Sequence, residues 1–204
     1  MRSRPIRPDG LAVWAAGVLV GLRLIAQVSA QSTPVVPYPR DYKSGLVKYA
    51  VVDRADGLSR DLYVSRDALD ALKRDPALKE FPAGALFALD VHSARLLGRD
   101  RKTGTARFEA GPDGHLARSK DERVLHLMQR IQAGPGSQSW SFGGFDPVTA
   151  EALKLELPGD CLLCHQAALG SDMAFSLTLL KRFAATGTVQ YAFCSHPGRQ
   201  FCPF

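Results

Sequence analysis

The five residues Cys161-Leu162-Leu163-Cys164-His165 constrain this chain more than any other feature. On a helix, positions i, i+3 and i+4 share a face, so both thiols and the imidazole point the same way. That spacing is the attachment signature of c-type haem. Each thiol adds to one of two vinyl groups on a porphyrin edge, and the next residue lies under the iron. On this reading Cys161 and Cys164 are thioether links to one haem c, and His165 is the axial iron ligand. Other uses of the pair fit less well. A thioredoxin-like site wants a βαβ setting, which the flanks lack. A zinc site needs two further ligands, and Cys194 with His196 is the one candidate half. A plain disulfide leaves His165 without a purpose.

Covalent haem of this kind belongs outside the cytoplasm, and the N-terminus agrees. Residues 1–30 hold Arg2, Arg4, Arg7 and Arg23 against Asp9. Leu11 to Leu22 is apolar, and Val28-Ser29-Ala30 places small residues before Gln31. This is the layout of a secretory signal peptide cut after Ala30. The rival is a retained anchor, but Arg23 interrupts the run short of the ~20 apolar residues that span a bilayer. The expected location is the periplasm, with no membrane span after cleavage. Export also favours a disulfide between Cys194 and Cys202 over a metal half-site. The formal charge of +6 includes no Lys/Arg tract, so nothing points to nucleic acid.

Residues 31–40 (QSTPVVPYPR) read as an extended leader, and 41–204 as a single domain. Tyr42 to Ala55 is ambiguous between helix and strand. Arg60 to Val64 alternates as a strand. Ser65 can cap a helix over Arg66–Lys73 with Ala68, Leu69 and Leu72 inward. Ala85 to Val91 is predicted as a strand, with Phe87 and Leu89 on one face and Leu86, Ala88 and Asp90 on the other. Residues 98–122 form a hairpin or long loop. Arg123 to Ile131 is a strand with Val124, His126 and Met128 on one face, and Trp140 begins another. Thr149 to Leu155 is predicted as a short helix. A helix from Pro158 carries the motif, and a helical stretch runs from Ser171 towards Phe183. The fold class expected is α+β, a mainly antiparallel sheet with flanking helices and a C-terminal haem-attachment helix. The motif's late position, 130 residues after Gln31, sets it apart from small all-helical electron carriers.

Six pieces in shared order resemble the cytochrome P-460 family, which includes the cytochromes c′-beta. They are Tyr38-Pro39-x-Asp41-Tyr42, Arg60-x-x-Tyr63-Val64, Phe81-Pro82-x-Gly84, Trp140-x-Phe142, the haem motif, and Asp172-Met173-x-Phe175. The resemblance implies a homodimer with a five-coordinate haem open on its distal side. The family's hydroxylamine-oxidising enzymes carry a lysine joined to the porphyrin in the strand after the F-P-x-G turn. Here the aligned position is near Leu89, and no lysine occurs between Lys79 and Lys102. Those enzymes also place a carboxylate in the following strand, and Val124–Met128 has none; Asp121 and Glu122 precede it. What remains resembles the c′-beta group, in which apolar side chains cap the iron and small gases bind. Phe87 and Leu89 are the expected distal-pocket residues, and NO or a similar gas is the expected ligand. The alternatives are an oxidoreductase acting on hydroxylamine or a related nitrogen compound, and a six-coordinate electron carrier serving an unidentified redox partner. For a sixth ligand, His126 and Met128 are better placed than Met173, which is expected on His165's own helix. His92, His115 and His196 are expected to be solvated.

Overall fold

The computed structural model describes residues 36–153, 158–195 and 202. The signal segment 1–30, the first half of the leader and His196 lie outside them. Six strands form the main sheet in the order β7-β6-β3-β2-β1-β8. They are β1 (Val47–Arg54), β2 (Leu58–Val64), β3 (Leu86–Ala94), β6 (Arg118–Arg130), β7 (Trp140–Phe145) and β8 (Gln190–Cys194). All neighbours are antiparallel except β1 and β8. The α+β expectation holds. The ambiguous stretch divides into a one-turn helix, α1 (Tyr42–Gly45), and then β1. A two-stranded hairpin, β4 (Leu96–Arg99) with β5 (Ala106–Phe108), opens the charged segment 98–122, and β6 takes its end from Arg118.

The alternation of side chains across the strands creates two cores. Phe87 and Met128 face one way, and they pack with α2 (Arg66–Arg74) and α4 (Leu177–Thr186) through Leu69, Leu72, Leu180 and Phe183. Tyr63, Ala88, Leu125 and Leu127 face the other way, packing with Val36, Tyr42 and Phe145. The end of the expected leader is thus part of this second core. Val36 is 2% exposed, and the Tyr38 hydroxyl donates to the Pro147 carbonyl at 3.1 Å. At the β1–β2 turn Gly57 has φ +84°, and any Cβ there would meet the Phe108 ring at 2.2 Å. Only glycine serves both demands.

Three local expectations are corrected. Ser65 precedes α2, but its hydroxyl accepts the Leu86 N–H at 3.2 Å and makes no cap. Thr149 to Leu155 does not form a helix among the described residues, which end at 153. Asp146 Oδ1 accepts the Val148 and Thr149 N–H groups at 2.7 and 3.0 Å, making a turn. Ala150 then takes φ +63°, and Ala152 bridges back to Phe145. The stretch from Ser171 is also broken. The motif helix α3 (Pro158–Gln166) ends, a 3-10 turn follows at Leu169–Ser171, and Asp172 and Met173 adopt φ of +49° and +67°. Only then does α4 begin.

Candidate functional site

Helix α3 places Cys161, Cys164 and His165 along one wall of a cavity of about 360 Å³. One face of the β-sheet lines the same cavity. Phe87 and Leu89 of β3 line it, beside their register partners Met128 and His126 of β6. The residues read as attachment site and as distal pocket are therefore brought to one cavity. Cys161 and Cys164 lie outside the disulfide, which joins Cys194 to Cys202 as expected from export.

The orientation of His165 is tightly specified. Its ring sits between Phe142 and Phe175, each with centroids 5.0 Å away. Its Nδ1 lies 2.6 Å from the Met173 carbonyl. A carbonyl oxygen can only accept, so the proton is on Nδ1 and the lone pair is on Nε2. Burial lowers the pKa of His165, with the Met173 bond opposing, which favours the neutral ring that a metal needs. The donor set fits haem: two thiols outside any disulfide and one imidazole nitrogen left for iron, facing a mostly apolar space.

Met173 reaches this site differently from the sequence expectation. It lies beyond the break after α3, off His165's helix, with its side chain 1% exposed in the core. Its contribution is the backbone carbonyl. His126 and Met128 line the cavity, as their strand face required. His92 is corrected: it is buried in β3 on the far sheet face, its Nε2 3.3 Å from Asp90. His115 is corrected in part: it is partly covered and meets Tyr191 edge-on, with centroids 4.2 Å apart.

The expectation of an apolar distal wall was incomplete. Arg60 also lines the cavity, and its buried Nε finds no hydrogen-bond partner among the described residues. Burial lowers its pKa to about 10, aided by Arg54 and opposed by Asp56 and Cys164. It therefore keeps its charge at neutral pH. His126 is held neutral chiefly by burial, then by Arg60 and His165. The signal for Arg60 was present in the alternation: it shares a strand face with Leu58, Leu62 and Val64, where a charge is unusual. Among the described residues no lysine, aspartate or glutamate lines the cavity.

On the far face, Asp61, Asp90 and His92 bring ligand atoms within 4.8 Å of one another. Asp61 is already engaged by Arg118 and by Lys48 at 2.7 Å, and Asp90 by the Tyr42 hydroxyl at 2.7 Å and Lys43 at 3.4 Å. These cations make the cluster an ion-pair network and leave no charge for a metal.

A sheet bearing a C-x-x-C-H helix across a cavity, with the histidine's Nε2 turned free, defines a haem protein of c type. The family model for cytochrome P460 matches residues 39–176, and the chain belongs to the cytochrome P460 family. Membership makes it a c-type haem cytochrome. No curated protein matches the chain.

Proposed function

We propose that this protein is an exported mono-haem cytochrome that binds NO or a similar small gas at a five-coordinate iron. Cys161 and Cys164 hold the haem covalently and His165 ligates it. One observation carries the reading: the motif helix and the Phe87–Leu89 strand face line the same cavity. Bound haem supplies an iron that takes diatomic ligands. The chain's own residues do the rest. His165 is fixed by two rings and one carbonyl, and Phe87 and Leu89 limit access and exclude water. The resemblance puts the enzymes' cross-linking lysine near Leu89, and no lysine occurs between Lys79 and Lys102, which supports binding over turnover. The location is the periplasm after cleavage at Ala30, and the state a homodimer. Among the described residues no helix is long and apolar enough to cross a membrane.

A second reading is oxidation of hydroxylamine or a related nitrogen compound. It is favoured by neutral His126 on the cavity wall, since such oxidation needs a base near the iron. One set of measurements separates the readings. The ferrous protein is expected to show a broad high-spin spectrum, to bind NO, and to give negligible hydroxylamine turnover with an artificial electron acceptor. Sustained turnover lost in His126→Gln would establish the enzyme. Sharp low-spin bands lost in His126→Gln or Met128→Leu would establish a six-coordinate electron carrier.

A further inference from the structure

Three sequence pieces that the haem reading does not use converge on one carboxylate. Asp172 is 7% exposed. Its Oδ2 accepts the Phe81 backbone N–H at 2.7 Å, and its Oδ1 accepts the Trp140 indole N–H at 3.2 Å. Arg130 Nη1 donates to both oxygens. Arg130 is itself 1% exposed and is anchored through Nη2 to the Gly134 carbonyl at 2.7 Å and to Glu80 at 3.1 Å. The donors come from the turn before β3, the end of β6 and the start of β7. All three therefore tie the main sheet to the segment between α3 and α4.

That segment is one the chain would not adopt unaided. Asp172 and Met173 are consecutive non-glycine residues with left-handed φ values of +49° and +67°. Such a conformation persists only where surrounding contacts over-determine it. Its consequence is functional. The turn carries the Met173 carbonyl to His165 Nδ1 at 2.6 Å. Hydrogen bonds to the far nitrogen of a metal-binding imidazole set its tautomer, its orientation and its strength as a donor.

We propose that the Arg130–Asp172 pair is the positioning device for the axial histidine, acting through the Met173 carbonyl. Asp172 and Arg130 are positioning residues that touch no ligand themselves. The proposal rests on His165 ligating haem iron. Loosening the pair lets the Nδ1–H···O bond lengthen, making the imidazole a weaker donor. The iron–histidine bond then weakens, and the reduced state is relatively favoured.

The test uses the haem-loaded protein with Asp172→Asn, Trp140→Phe and Leu125→Ala. Leu125 lies in the core on the far sheet face and reports the effect of destabilisation alone. Resonance Raman of the ferrous state and a redox titration give the readouts, with melting temperature alongside. Asp172→Asn is expected to move the iron–histidine stretch to lower frequency and the midpoint potential upward. Trp140→Phe, which removes a single donor, is expected to move both in the same direction by less. Leu125→Ala is expected to melt earlier with both unmoved. If Asp172→Asn folds, melts earlier and keeps the wild-type stretch and potential, the proposal is overturned. If Asp172→Asn does not fold, Trp140→Phe decides, and an unmoved stretch there overturns it. A comparable shift in Leu125→Ala also overturns it. A wild-type protein without haem colour fails the underlying reading instead, and is recognised before any variant is compared.

Discussion

Replacing Leu89 by Ala should speed ligand entry and destabilise the fold modestly, and both effects come from the same contacts. Leu89 lies on the cavity wall with Leu62 and His126 as register partners on either side, and it is half-buried. The substitution removes three carbons, each worth ~0.8 kcal/mol when fully buried. Partial exposure reduces the sum to about 1–2 kcal/mol. For a domain of this size that corresponds to a melting temperature lower by roughly 2–8 °C. A gating side chain must leave these same neighbours for a ligand to pass, so the barrier falls by a similar amount. At ~1.4 kcal/mol per tenfold, NO association should rise about 5- to 30-fold. Flash photolysis of the ferrous nitrosyl or carbonyl adduct measures it. Leu125→Ala is the control: full burial makes it cost about 3–5 kcal/mol, with no change in association rate. Leu89→Ala with the expected loss of stability and an unchanged on-rate would refute the distal role and leave Leu89 an ordinary core residue.

Acid should destabilise the protein through His126. Burial depresses its folded pKa, so the unfolded chain takes up a proton first, near 6.5. Above that pH both states are neutral and nothing changes. Denaturation midpoints should fall between about pH 7 and pH 5, and His126→Gln should flatten that fall. Cys194 and Cys202 should resist alkylation in denaturant until reduced, and reduction should cost about 2–3 kcal/mol for so short a loop. Labelling of both without reductant would contradict the bond. Cys164→Ala should leave at most a single thioether, so that acid-acetone extraction retains colour through Cys161 alone.

Much of the site was legible because it rests on short-range geometry. The spacing of Cys161, Cys164 and His165 is a helical face, and the strand alternation put Phe87, Leu89, His126 and Met128 on one side. What was not legible depends on partners far along the chain. β8 pairs in parallel with β1 with the small Ala192 and Cys194 turned to the core and the large Tyr191 and Phe193 exposed, so its sequence reverses the pattern that marks a half-buried strand. The break between α3 and α4 follows from Asp172 being claimed by Phe81, Arg130 and Trp140. No local pattern announces that. Ser65 has a capping residue's identity and position, yet Leu86 takes its hydroxyl. Arg60 shares its strand face with Leu62, so the alternation carried its signal, but only the fold shows that this face lines the cavity.

The central claim is covalent haem on the α3 face, and the denatured intact mass of the exported protein tests it most directly. The expected mass is that of the chain from Gln31 plus one haem, retained in denaturant and reductant. A mass equal to the polypeptide alone, with colour lost on denaturation, would contradict it.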